Sequence, residues 1–293
     1  MPDVSGSYQL LDAGQFKKLE KVGPYVLIRP SPQAVWNRST PKIWDNADAE
    51  YLRQKDGSGN WHLRKKKGLA TLDSCHISYG EARFFIQLTS FGHLGLFPEQ
   101  KNNWHLIKKV TSFLSEKKKV NVLNLFGYSG GASIAALMGG GTVTHVDASP
   151  ASVNWAKENV IANGCQHQSI RWICEDVRKF VSKEVKRENK YHGVILDPPT
   201  FGRGKKGEVW KIERDLPDLL RQIRKIMTSR NSFILLSAHT PGYGQITLQN
   251  LLLDSFKEFR VYDSAEMTVT YHKKNRQLPS GSSCFVVNFD DHL

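Results

Sequence analysis

Asp197-Pro198-Pro199-Thr200-Phe201 is the most specific chemical signal in the chain. Each proline fixes φ and biases the residue before it away from helix, so the five residues read as a rigid extended turn. Pro198 has no N–H to commit its peptide unit to a strand ladder. An Asp197 carboxylate and a Pro198 carbonyl of fixed geometry are two acceptors that match the two protons of an –NH₂ group. The nitrogen lone pair is then aimed at an electrophile, and Phe201 can stack on the flat ring that carries the amine. The plainer alternative is an Asp-Pro turn with a packing aromatic.

Three further positions deliver polar groups in the same way, each at the end of a short apolar run. Residues 120–126 are apolar and end in Gly127-Tyr128-Ser129-Gly130-Gly131. Residues 142–146 end at Asp147, twenty positions beyond Gly127, where doubly wound folds place an acid that accepts hydrogen bonds from a ribose. Residues 169–174 end near Asp176, which can accept from an adenine amino group or simply cap the next helix. Strand, glycine turn, helix, strand and acid form one unit. Its glycines permit positive φ and remove Cβ atoms beside the turn, whose free amides suit polar or anionic groups.

The elements that must position these residues follow from periodicity. Ser149 is a good N-cap and Pro150 suits the first helical position. Trp155, Val160 and Ile161 are expected to face the sheet, and Asn163-Gly164 to stop the helix. Strands at 191–196 and 232–237 and helices at 177–186, 216–227 and 246–256 continue the βα alternation, which predicts a largely parallel sheet with helices on both faces. Strands at 259–271 and 283–289, with no helix between them, predict a closing hairpin and hence one antiparallel strand at the sheet edge. Ligands of such sheets bind beyond the carboxyl ends of the strands, where Asn124 to Gly127, Asp147, Asp176 and Asp197 converge.

Ahead of this unit, residues 91–100 form a Gly- and Pro-containing loop, and 102–115 a helix with Trp104, Ile107, Val110 and Leu114 on one face. Residues 1–90 read as a small β-rich domain: a strand at 25–28, a turn at 56–59, and a hairpin pairing 74–79 with 82–88. Trp36, Trp44 and Trp61 are expected to pack there rather than to stack on bases. The expected domains are therefore 1–90 and 91–293.

Of the 293 residues, 41 are Lys or Arg and 28 Asp or Glu, a formal charge of +13. Basic runs at 64–67, 117–119, 203–206, 221–225 and 273–276 favour a polyanionic partner such as RNA or DNA, although any one run reads as a solvated face. Cys75, Cys165, Cys174 and Cys284 are widely spaced, without a C-x-x-C pair or a histidine cluster. That argues against zinc or a disulfide framework and for a reducing, cytoplasmic setting. The polar first 21 residues and the lack of a long apolar run point away from a membrane. The oligomeric state is not encoded in any motif.

The motifs 121–131, Val146-Asp147-Ala148-Ser149, Trp155-Ala156-Lys157-Glu158-Asn159 and Asp197-Pro198-Pro199-Thr200-Phe201 resemble class I S-adenosylmethionine-dependent methyltransferases. With Gly95-Leu96-Phe97-Pro98-Glu99-Gln100 they are more closely similar to the group containing bacterial large-subunit ribosomal RNA base methyltransferases. The resemblance covers residues 91 onward. It implies an α/β fold: a Rossmann-like, seven-stranded, mostly parallel sheet with one antiparallel edge strand, plus the small N-terminal β-rich domain. It also implies S-adenosyl-L-methionine held by Asn124, Phe126, Gly127, Tyr128, Ser129, Gly130, Asp147, Ala148, Ser149, Asp176, Val177 and Asp197, with Phe97 and Gln100 covering it. Asp197, Pro198 and Phe201 become the catalytic, substrate-facing residues, and no metal is required.

The chain departs from that group in two ways. Members that methylate cytosine carbon carry a cysteine after the strand following Asp-Pro-Pro, whereas this chain reads Leu236-Ser237-Ala238-His239-Thr240-Pro241-Gly242, and Thr200 stands where related enzymes carry another cysteine. A covalent carbon-5 route is thereby disfavoured, and an exocyclic or ring nitrogen of an RNA base is the expected acceptor, with His239 a candidate proton acceptor. In addition, residues 1–90 do not resemble the group's amino-terminal RNA-binding domain. Other readings are a methyltransferase of protein or small molecules, an NAD(P)-dependent oxidoreductase, and a non-catalytic RNA-binding protein. The oxidoreductase lacks G-x-G-x-x-G and gives Asp-Pro-Pro no role.

Overall fold

The computed structural model describes residues 7–54, 58–64, 75–204, 207–273 and 275–289. The turn expected at 56–59, the start of the 74–79 strand and the basic runs at 64–67, 203–206 and 273–276 therefore lie partly outside the described residues. The chain divides into two compact units. One comprises residues 1–101 with 268–280, the other residues 102–267 with 281–293.

The first unit is built on a five-stranded sheet of β1 (Tyr8–Gly14), β2 (Lys17–Val22), β3 (Tyr25–Pro30), β4 (Ala49–Arg53) and β5 (Gly59–Leu63), in that spatial order. All neighbours are antiparallel except the parallel pair β3 and β4. A separate hairpin pairs β6 (Cys75–Tyr79) with β7 (Ala82–Ile86). Periodicity predicts β3 and this hairpin. It misses β1 and β2, where Asp12 and Glu20 break the apolar pattern because both carboxylates are fully buried. Each has its own partners: Asp12 accepts from Trp44 Nε1 at 3.0 Å and from Thr40 N at 2.9 Å, and Glu20 from Tyr8 and Arg29. Trp44 is buried, while Trp36 and Trp61 are half-buried and donate to the carbonyls of Ala13 and Thr89.

The second unit opens with α1 (Lys101–Ser115), whose first residue belongs to the other unit. It proceeds through β8 (Asn121–Leu125), α2 (Gly131–Met138), β9 (Thr142–Asp147), α3 (Pro150–Ala162), β10 (Ile170–Cys174), α4 (Val177–Lys186) and β11 (Gly193–Leu196). Then come a short hairpin, β12 (Phe201–Arg203) with β13 (Val209–Lys211), and α5 (Ile212–Ile226), β14 (Ser232–Ala238), α6 (Gln245–Ser255), β15 (Arg260–Thr270) and β16 (Gln277–Asn288). Seven strands form one sheet in the order β10-β9-β8-β11-β14-β16-β15. The first five pair in parallel, β16 runs antiparallel to β14, and β15 is the edge. The order reverses between β8 and β11, which are adjacent although three helices and two strands separate them in sequence. That is the switch point at which such sheets bind ligands.

Burial explains why periodicity works here. β11 and β14 are buried at every position, as strands covered on both faces must be. Ile107, Val110 and Leu114 of α1 are buried, and so are Trp155 and Val160 of α3. Ile161, expected to face the sheet, is 60% exposed, because α3 presents its other face. α5 begins four residues before the expected start at 216. Pro217, the sixth residue of α5, forgoes one intrahelical N–H bond, and the helix continues through it because Leu216, Leu219, Leu220 and Ile223 are buried on its core face.

Candidate active site

At the end of β8 the backbone enters the left-handed region at Phe126 (φ 57°) and Tyr128 (φ 45°), then at Gly130 (φ 88°), the residue before α2. Gly130 takes the positive φ that glycine permits, and two non-glycine residues of the turn adopt it as well. The missing Cβ atoms also serve protein packing. A Cβ on Gly127 would stand 2.4 Å from His145 Cε1, one on Gly131 2.7 Å from Trp104 Cζ2, and one on Gly130 2.9 Å from Ala156 Cβ. The glycines let the turn sit on β9, α1 and α3.

Beneath that turn lies a buried polar chain. Asn124 Nδ2 donates to Ser133 Oγ at 2.9 Å, which leaves the serine hydroxyl proton for His145 Nδ1, also at 2.9 Å. His145 Nε2 is buried without a hydrogen-bond partner among the described residues, and burial holds the ring's pKa down at about 3. The imidazole is therefore neutral and acts as a spacer under the turn. Asn124 is 3% exposed, so the expectation that it reaches a ligand meets a side chain already engaged below the turn.

Asp147 closes β9 and is fixed from two sides: Tyr128 N donates to Oδ2 at 3.0 Å and Ser149 N to Oδ1 at 2.8 Å. Burial raises its pKa, and the two backbone donors oppose the rise. A carboxylate has about four lone-pair sites, so each oxygen keeps capacity for a hydroxyl donor. Ser149 caps α3 through Ser152 N, with Pro150 at the first helical position. Asn159 of α3 reaches back to the Ser129 carbonyl at 2.8 Å and anchors the turn from the other side. Ala148 lies between Asp147 and Ser149, and its carbonyl faces Cys174 Sγ at 3.8 Å.

Asp176 is the N-cap of α4, accepting from Arg178 N at 3.0 Å and Lys179 N at 3.1 Å, with Val177 the first helical residue. Arg178 folds back so that Nη2 donates to Asp176 Oδ2 at 3.0 Å, while Nη1 donates to the Val209 carbonyl at 3.1 Å. Its pKa is raised, chiefly by that bond to Asp176.

Asp197 follows β11, one strand from β8. His239, following β14, places Nε2 3.6 Å from Asp197 Oδ1. Thr200 and Thr240 join their hydroxyls at 2.7 Å, so the loops after β11 and β14 are tied together. Trp210 was missed by the sequence reading. Its Nε1 donates to the Pro199 carbonyl at 2.7 Å, and its ring lies 5.0 Å from that of Phe126, so one indole touches both the Asp-Pro-Pro turn and the glycine turn. The ladder of β12 and β13 that presents it was also missed, since three-residue strands have no readable period. Phe201, at the start of β12, is 50% exposed, with Arg203 over its ring at 5.7 Å. Phe97 is half-buried and Gln100 buried, both in the other compact unit. Among the described residues no three His, Cys, Asp or Glu side chains group to hold a metal ion.

A parallel sheet with its switch point at β8 and β11, a glycine turn, and an acid held by two amides at the end of the neighbouring strand define a class I nucleoside-cofactor enzyme fold. Residues 57–245 match the S-adenosylmethionine-dependent methyltransferase family, and the chain belongs to it. S-adenosylmethionine is accordingly its cofactor, and an oxidoreductase or a non-catalytic binding protein is set aside. The chain is similar to the S-adenosylmethionine-dependent methyltransferase from Agrobacterium tumefaciens, with a TM-score of 0.87 and 34% identity over 96% of this chain and 90% of that one. It is also 34% identical over 158 residues to the ribosomal RNA large subunit methyltransferase K/L of Shewanella frigidimarina, and 30% identical over 184 residues to that of Shewanella baltica. The alignments take in 53% and 62% of this chain but only 21% and 24% of those proteins.

Proposed function

We propose that the enzyme methylates a nitrogen of an RNA nucleobase, ribosomal RNA foremost. The observation that carries this reading is the placement of Asp197 and Pro198 at the switch point, on the strand next to the glycine turn. The absence of cysteine from both 197–201 and 236–242 stands against a covalent carbon-5 route. The +13 charge and the similarity to ribosomal RNA methyltransferases favour RNA over protein or small-molecule acceptors.

In this reading Asp147 takes the ribose hydroxyls on its remaining lone pairs, and Asp176 with Val177 takes the adenine edge. The turn of Phe126, Gly127, Tyr128, Ser129 and Gly130, with Ala148 and Ser149, shapes the remaining wall, and Asn124 supports it from below through Ser133. The bound cofactor supplies a methyl group already activated by the positive sulfonium. Asp197 and the Pro198 carbonyl accept the two amine protons and direct the nitrogen lone pair, Phe201 stacks on the ring, and His239 beside Asp197 receives the proton that is lost. Orientation of this kind can supply roughly 7 to 11 kcal/mol of barrier reduction.

Residues 1–90 are proposed as a distinct β-rich domain, residues 91–293 as the catalytic domain, and the cytoplasm as the site of action. Among the described residues no helix is long and apolar enough to cross a membrane. The test is transfer of tritiated methyl to total RNA, followed by nucleoside analysis. Label in an N-methylated base that falls at least about 10²-fold in Asp197→Ala, with cofactor affinity kept within tenfold, supports the reading. Label in carbon-5-methylcytosine, or none in RNA, overturns it.

A further inference from the structure

Within the first compact unit the β-sheet and the loop after β7 line an open cavity of about 190 Å³, against the roughly 10–15 Å³ that one water needs. Its lining includes Lys18, Arg29 and Arg53 together with Tyr51, Phe91 and Glu99. Arg29 and Lys18 are held in place, and Arg53 is exposed at the rim. Arg29 is 8% exposed, and its Nε and Nη2 donate to Glu20 at 2.6 and 2.9 Å while Nη1 donates to the Gly92 carbonyl at 3.0 Å. Lys18 Nζ lies 3.0 Å from the same Glu20, which also accepts from Tyr8 at 2.7 Å. A guanidinium has five N–H donors and an ammonium three, so each group keeps two without a partner among the described residues.

The aromatic wall is equally organised. Tyr51 is buried, its hydroxyl donates to the Ser90 carbonyl at 2.7 Å, and Trp61 Nε1 donates to the Thr89 carbonyl at 3.0 Å. Gly92, at φ 77°, admits the Tyr51 ring, which a Cβ there would meet at 2.7 Å. These bonds set the loop so that Phe91 is 64% exposed at the cavity. Three cations face one lining carboxylate, Glu99, and one behind Arg29, Glu20. Spare charged donors call for a ligand with several anionic oxygens, and exposed aromatic surface beside them calls for a flat ring. A nucleotide has both.

We propose that this cavity binds one nucleotide of single-stranded RNA, its phosphate at Lys18, Arg29 and Arg53 and its base on Phe91. The inference rests on the RNA reading above and adds a second contact for that substrate, on the β-rich unit. The test uses the full-length enzyme, a fluorescein-labelled single-stranded fragment of the RNA methylated in the preceding assay, and the variants Arg53→Gln, Phe91→Ala and their combination. Arg53 and Phe91 are exposed, so both variants should fold, and calorimetric affinity for S-adenosylmethionine serves as the check. Each single variant is expected to weaken RNA binding about tenfold, with Arg53→Gln also lowering the salt slope of log affinity by about 1. RNA carrying 4-thiouridine should crosslink within residues 91–97. Wild-type binding that both variants leave unchanged, or crosslinks confined to the second unit, overturns the cavity while leaving the RNA reading intact. A wild-type enzyme that neither binds nor methylates RNA overturns both.

Discussion

Trp210 Nε1 donates to the carbonyl of Pro199 at 2.7 Å, so the second proline of the Asp-Pro-Pro turn is held from outside by an indole that also touches Phe126. The bond fixes the peptide unit next to the Pro198 carbonyl, one of the two acceptors proposed for the substrate amine. Trp210→Phe keeps an aromatic ring but removes the N–H. A part-buried hydrogen bond is worth roughly 1 kcal/mol, so kcat for methyl transfer is expected to fall about five- to tenfold, with cofactor Kd unchanged. Equal losses in kcat and cofactor affinity would show that Trp210 supports the whole site and not the turn.

Asp147 is pinned by two backbone amides and retains lone pairs on both oxygens. Hydrogen bonds to a charged acceptor are worth roughly 1.5–3 kcal/mol each, so Asp147→Ala should weaken S-adenosylmethionine binding by at least about tenfold in calorimetric titration. Asp147→Asn, which keeps one acceptor oxygen, should fall between the two. NADH should bind none of the three proteins. Unchanged affinity in Asp147→Ala would remove this carboxylate from the cofactor site.

The parallel sheet was legible because its inner strands β8, β9, β11 and β14 are buried almost throughout and because its strands lead into residues with few other uses: Gly127, Asp147, Asp176 and Asp197. What was not legible depends on contacts distant in sequence. Trp210 gains its role only when a three-residue hairpin brings it to Pro199 and Phe126. β2 is obscured because Glu20, which looks like a surface residue, is buried against Arg29, Lys18 and Tyr8. Gly127 has a second close neighbour that no local pattern shows, because the ring of His145 that a Cβ there would meet comes from the next strand.

That neighbour makes Gly127→Ala a sharp test of the turn. The added Cβ would meet the His145 ring at 2.4 Å, and the ring is backed by Trp172 at 5.0 Å and by Ser133. Overpacking of this kind costs roughly 1–3 kcal/mol, so the variant should melt several degrees lower and bind cofactor more weakly. Shrinking the neighbour in Gly127→Ala/His145→Ser should recover part of both losses. A double variant whose losses simply add would mean that the two residues do not share the space.

His145 also gives the fold a dependence on acid. In the unfolded chain its pKa is 6.5, and in the folded protein burial lowers it to about 3. A base with a depressed pKa takes up its proton on unfolding first, so below pH 6.5 the unfolded state binds more protons than the native state and stability rises with pH. The contribution is complete above about pH 6.5 and is lost as pH falls toward 3, at a slope approaching about 1.4 kcal/mol per pH unit. His145→Gln cannot titrate, and subtracting its stability from that of the wild type isolates this term from other carboxylates and histidines. Urea unfolding at pH 8.5, 7.5 and 5.5 should show the wild-type advantage constant over the first interval and narrowing by about 1.4 kcal/mol over the second. Parallel curves across all three would mean that the buried imidazole takes up its proton in the native state as readily as in the unfolded chain.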